Sequence, residues 1–241
     1  MLDNLLTQRH ELKFYIHRVE YEQLRLKLLK LLSCDAYQRD PEGYFIRSLY
    51  FDDLHDTAVN EKLAGIEKRS KLRLRIYSYD QDWAKLENKI KDNNYVRKVS
   101  QTITKQEALN LINGDYQFLL NYDNNYARAL YFDFATIYRR PVTVIDYYRD
   151  AYMLDFNNIR VTFDKNLRST TSNFDLFNPN LPTHPLQFDQ VVIMEIKFDN
   201  FLPPWFLKII HAERFTQSAV SKYCLARMQN NEYLLSATSQ I

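Results

Sequence analysis

Charged side chains in this sequence recur at alternate positions, and their types suit the binding of phosphate. Lys71, Arg73 and Arg75 are spaced by two, as are Lys85, Glu87, Lys89 and Lys91. Glu11 and Lys13 repeat the spacing near the start, and Arg160, Thr162 and Asp164, then Glu195 and Lys197, repeat it later. In an extended chain residues two apart point to one face. Arginine forks and lysine ammonium groups pair with phosphate oxygens. A carboxylate or two among them can hold Mg2+ or Mn2+, which then bridges the phosphates. For any one strand the simpler reading is a sheet with one wet face. Repetition over several strands favours a charged interior, because like charges two residues apart repel unless an anion lies over them.

The elements that must position these residues are mostly strands. Period-two patterning predicts strands at Glu11–Ile16, Tyr44–Asp52, Lys71–Tyr77, Trp83–Lys91, Tyr95–Ile103, Val142–Leu154, Ile159–Asn166 and Val191–Phe198. Helical spacing predicts Val19–Leu32, Lys105–Asn113, Pro204–Ala212 and Thr216–Gln229. The apolar residues Leu12, Phe14 and Ile16 oppose Glu11 and Lys13, and Leu72, Leu74 and Ile76 oppose Lys71, Arg73 and Arg75. An α+β fold accounts for this: an eight-stranded antiparallel barrel with its apolar side covered by helices and a charged lumen wide enough for a narrow ligand. Strands continue on both sides of every polar segment, so residues 1–241 read as a single domain. The stretch Thr171–Gln190, with Pro179, Pro182 and Pro185, reads as a long loop.

Composition excludes several other functions. The 241 residues are 46% hydrophobic and 26% charged, ordinary for a globular chain with a sizeable core. The formal net charge is +2, which argues against a general nucleic-acid coat or a polybasic membrane anchor. Three glycines cannot build a phosphate-cradling loop, so any anion must be held by side chains. Two distant cysteines, Cys34 and Cys224, fit a reducing compartment and form neither a thiolate zinc site nor a disulfide framework. The five histidines show no paired zinc spacing. No run is long and apolar enough to span a membrane, and the expected location is the cytoplasm.

The stretches RHELKFYI (9–16), RSLYFDD (47–53), KLRLRIY (71–77), LENKIK (86–91), YYRDAY (147–152), IRVTFDKNLR (159–168), MEIKF (194–198) and SKY (221–223) run in order over nearly the whole chain. Together they resemble the triphosphate tunnel metalloenzymes, and within them the vacuolar transporter chaperone (VTC) domain of polyphosphate polymerases. The resemblance implies an antiparallel eight-stranded tunnel that binds a triphosphate and a divalent metal, Mn2+ or Mg2+. Carried over by position, Lys13, Arg73, Arg75, Lys89 and Lys222 become the catalytic cations. Lys98, Arg149, Arg160 and Lys197 become further phosphate ligands, with Arg97 an alternative to Lys98. Glu195 becomes the metal-binding acid. Glu11 is either a second metal ligand or an ion-pair partner.

One departure separates branches of the superfamily. Hydrolytic and cyclase members open with two glutamates and a lysine at alternate positions, whereas the triplet here is Arg9, Glu11 and Lys13. Fewer acids make a two-metal hydrolytic site harder to assemble, and a richer basic lining suits a polymeric anion. The expected activity is therefore transfer of the γ-phosphate of ATP onto inorganic polyphosphate. Two alternatives are a tripolyphosphatase or nucleoside triphosphatase, with Glu11 or Glu87 as base, and a non-catalytic polyphosphate sensor. ATP and polyphosphate are the expected partners, nucleic acid is not, and a membrane partner is left open. Strict alternation places Arg149 with Tyr147, opposite Asp146, Tyr148, Asp150 and Tyr152, so either a bulge re-aims that strand or Arg149 points outward.

Overall fold

The structure is a computed structural model and describes residues 9–38, 40, 43–93, 95–186, 191–210, 215–219 and 221–229. In chain order the strands are β1 (Arg9–His17), β2 (Ser33–Cys34), β3 (Tyr44–Asp52), β4 (Arg69–Ile76), β5 (Trp83–Asp92), β6 (Tyr95–Thr104), β7 (Arg140–Leu154), β8 (Ile159–Thr170), β9 (His184–Pro185) and β10 (Val191–Asp199). The helices are α1 (Arg18–Leu28), α2 (Thr57–Leu63), α3 (Lys105–Ile112), α4 (Asn125–Ile137) and α5 (Pro204–Ile210), with a further helical segment at 222–229. The pairings β1–β10, β10–β8, β2–β7, β3–β4, β4–β5, β5–β6 and β8–β9 are all antiparallel, and the α+β class expected from the patterning is the one observed.

The chain forms two compact units, each assembled from separated segments: one from residues 1–45, 147–167 and 188–220, the other from 46–146, 168–187 and 221–241. In the first unit β1 pairs with β10 (Lys13 opposite Glu195, Glu11 opposite Lys197) and β10 with β8 (Glu195 opposite Thr162, Lys197 opposite Arg160). The alternate residues Phe14, Ile16, Val161, Phe163, Met194 and Ile196 are buried against Tyr21, Leu24 and Leu28 of α1 and Phe206 and Ile210 of α5. Helix α1 starts where His17 caps it and Glu20 reaches back to the His17 N–H at 2.7 Å. It ends at Leu28, short of the predicted Leu32.

In the second unit β3, β4, β5 and β6 pair in that order. Leu49, Phe51, Leu72, Leu74, Ile76, Ala84, Leu86 and Ile103 form the sheet side of its core. Ala108 and Leu111 of α3 and Leu130 and Phe134 of α4 cover them. Helix α4 is not among the predicted helices. Its buried residues Ala127, Leu130 and Phe134 are spaced by three and four, but the exposed Phe132 between them blurs the period.

The proline-containing stretch is anchored over its described part, through residue 186. Leu176, Phe177 and Leu181 enter the second core. The buried guanidinium of Arg47 pairs in a fork with Asp146 (2.7 Å to each oxygen) and donates to the carbonyls of Leu176 (3.3 Å) and Asn178 (2.6 Å). A helix predicted over Thr216–Gln229 is helical only from 222, because Gln217 forms a bridge with Phe14 and Ser218 N–H donates to the Lys13 carbonyl (2.9 Å).

Candidate phosphate-binding site

The charged faces of the two units are built differently. In the second unit Arg73 faces Tyr50 on β3 and Glu87 on β5, and Lys71 faces Lys89, which faces Lys98 on β6. Glu87 is 2% exposed and is the hub of this face. Arg73 Nε lies 2.8 Å from it, Arg75 3.6 Å, and Lys98 is in closest contact. Burial works to raise the Glu87 carboxyl, but the charges of Arg73 and Arg75 and the hydrogen bond from Lys98 prevail and hold it at about 2. Three cations from two strands, Arg73, Arg75 and Lys98, thus converge on one carboxylate.

The SKY segment is fixed to the same unit by its outer residues. Ser221 Oγ accepts from Lys71 Nζ (2.9 Å) and from the Cys224 N–H (3.4 Å), capping the final helical segment. Tyr223 stacks on Tyr50 with ring centroids 5.1 Å apart and donates its hydroxyl to Asp52. Asp52 in turn accepts from the N–H groups of Ala58 (2.9 Å) and Val59 (3.2 Å) at the start of α2. The half-buried Lys222 therefore springs from a backbone held on either side.

On the face of the first unit cations and carboxylates pair one with another. Lys13 lies between Glu11 (2.5 Å) and Glu195 (3.4 Å), and Glu195 is also bound by Lys197. Burial tends to lower the Lys13 ammonium, yet Glu195 and Glu11 outweigh it and hold the pKa above its ordinary value. Arg160 donates to Asp35 (2.6 Å) and to the Tyr44 hydroxyl (3.4 Å). Arg149 makes a two-pronged pair with Asp164 (2.6 and 2.8 Å) and lies 5.4 Å from the centre of the Tyr147 ring. Arg149 thus lies beside Tyr147, while Asp150 binds the buried Lys165 (3.1 Å) and Tyr21.

The sequence-predicted residues thus fall into two groups. Glu11, Lys13, Arg149, Arg160, Glu195 and Lys197 lie in the first unit, and Arg73, Arg75, Lys89, Lys98 and Lys222 in the second. The carboxylate partners Asp35 and Asp164 and the phenols Tyr44 and Tyr50 are additional members. The Arg9 side chain is outside the described residues. Among the described residues, no three His, Cys, Asp or Glu side chains converge as a metal cage, and no helix is long and apolar enough to cross a membrane. The oxygen donors of Glu195 and Glu11 fit Mg2+ or Mn2+, which take few carboxylates and complete their shell with phosphate and water.

The family model described as "VTC domain" matches residues 8–229. No curated protein matches this chain in sequence. Two solved structures share its fold. A candidate adenylate cyclase from Bacillus halodurans is 12% identical, with 89% of this chain and 95% of that one covered and a TM-score of 0.51. A candidate adenylyl cyclase from Hippeastrum, described as having a dominant triphosphatase activity, is 13% identical, with 93% and 96% covered and a TM-score of 0.52.

Proposed function

The chain belongs to the VTC domain family, and from that premise we propose that it is a metal-assisted polyphosphate polymerase using ATP. The terminal oxygen of the growing polyphosphate attacks the γ-phosphorus of ATP. A new phosphoanhydride bond forms, the bond to the bridging β–γ oxygen breaks, and ADP leaves with that oxygen. The acceptor is already an oxyanion, so no side chain need be activated as a nucleophile. Catalysis then rests on alignment and on stabilising charge around the transferred group.

Arg73, Arg75 and Arg160 hold phosphate oxygens in this scheme, with Lys98, Arg149 and Lys197 as further anion ligands. Lys13, Lys89 and Lys222 offset developing charge, and Glu195, with Glu11, is the side chain offered to Mg2+ or Mn2+. The metal, when bound, would draw negative charge from the phosphates.

The observation that carries the reading is the Glu87 cluster, where several cations surround one buried carboxylate held ionised at about 2. Such a convergence of Arg and Lys side chains suits the oxygens of a phosphate chain, and a carboxylate so acidic is a poor base for activating water. Glu11, the other candidate base, is engaged by Lys13 at 2.5 Å. The similar folds include one described by its triphosphatase activity, which agrees with triphosphate as the ligand class.

The test is incubation of the protein with ATP and Mn2+, with products resolved on a gel stained for polyphosphate and free phosphate assayed in parallel. The expected result is a polyphosphate ladder. Arg73→Ala should lower turnover by about 2.7–4 kcal/mol in barrier terms, by analogy with loss of one oxyanion donor. Phosphate release without a ladder would make the chain a triphosphatase. Polyphosphate binding with neither product would make it a sensor.

A further inference from the structure

On the polar face of β8 two buried donor groups lack a protein partner: Nε of Arg160 and the hydroxyl of Thr162. They lie two residues apart and so share a side of the strand. Thr162 is only 4% exposed. Such an unpaired hydroxyl is costly, and buried polar groups in folded proteins are nearly always satisfied. The facing strand does not take up the hydroxyl. Glu195, opposite Thr162, has one carboxylate oxygen bound by Lys197 and the other facing Lys13 at 3.4 Å. The NH2 group of Arg160 is already used by Asp35 and Tyr44.

Two adjacent donors with no acceptor call for an oxyanion. We propose that Thr162 is a phosphate-binding residue, its hydroxyl donating to an oxygen of the bound polyanion beside Arg160 Nε. The ligand class rests on the polyphosphate reading above. Lys197, on the neighbouring strand opposite Arg160, is 38% exposed at its side chain. A phosphate that draws its ammonium away from Glu195 opens the way to the hydroxyl and gains a third contact. The sequence shows Thr162 only as one polar residue between two charges; its lack of a partner is visible only in the fold.

The experiment compares wild type, Thr162→Val and Thr162→Ser for thermal stability without ligand and for binding of tripolyphosphate with Mn2+ by calorimetry. Valine fills a similar volume without the hydroxyl. The expected result is a Thr162→Val protein at least as stable as wild type that binds tripolyphosphate about tenfold more weakly, as for a lost hydrogen bond to a charged group. Thr162→Ser should bind like wild type. Unchanged affinity in Thr162→Val overturns the proposal, as does a loss of stability alone, which would mean that water satisfies the hydroxyl. Should the valine variant not fold, Thr162→Ala decides beside Thr162→Ser: weaker binding in alanine with wild-type binding in serine supports the hydroxyl, and wild-type binding in alanine overturns it. If wild type itself binds no tripolyphosphate, the polyphosphate reading fails and this proposal with it. If wild type binds and only the variants contradict, this proposal fails alone.

Discussion

Tyr50 shows how neighbours set a residue's chemistry. Its ring is buried against Tyr223, and its hydroxyl accepts from Arg73 at 3.3 Å. Burial pushes the phenol up, but Arg73, Lys71 and Arg75 outweigh it and bring the pKa down to about 8. Above that pH a phenolate stands among the cations proposed to bind phosphate and would compete with the ligand. Affinity for tripolyphosphate should therefore fall as pH rises through about 8, and Tyr50→Phe should remove that alkaline limb in a pH series of binding isotherms. Stability follows the opposite sign: a depressed phenol pKa adds stability as pH rises from about 8 toward the ordinary value near 10. The alternation of Lys71, Arg73 and Arg75 is legible from sequence because it is local. The partners are not. Arg160 meets Asp35 from 125 residues away, and Glu87 serves three cations drawn from two strands.

Among the elements, the final helical segment depends most on its supports. Tyr223 joins it to β3 through Tyr50 and Asp52, and Asp52 also holds the start of α2. Tyr223→Phe keeps the stacked ring and removes the hydroxyl, leaving a buried carboxylate short of one donor. The expected cost is about 1–3 kcal/mol in urea unfolding, with turnover lowered as Lys222 loses its fixed origin. Full stability together with full turnover would show that the hydroxyl supports neither. All eight predicted strands are present because alternation survives in the sequence wherever one sheet face is buried. Helix ends were harder to read: α1 stops at Leu28 although Leu31 and Leu32 continue its apolar spacing, and the last helix starts at 222 because Gln217 and Ser218 bond to β1. The long stretch after Thr171 reads as a loop from its prolines, yet Arg47 and three apolar residues hold its first part in place.

For the molecule as a whole, a net charge of +2 conceals two different patterns of pairing. Lys13, Lys197, Arg149 and Arg160 are matched by Glu11, Glu195, Asp164 and Asp35 in the first unit, whereas Arg73, Arg75 and Lys98 share the carboxylate of Glu87 in the second. Tripolyphosphate, binding the folded chain, should raise the thermal midpoint. Added potassium chloride should erode that rise by screening, and a salt-independent rise would argue against charge as its source. The charged residue types were readable in the sequence, but this pairing depends on which distant acids fold beside them. The division of the chain has another consequence, in its synthesis. The first unit draws its core from stretches far apart in the sequence, so β1 and α1, made first, wait for β8 and β10 before their apolar residues are covered. In the second, β3–β6 and the covering helices α3 and α4 lie in one continuous stretch, so most of that core can assemble while the chain is still being made.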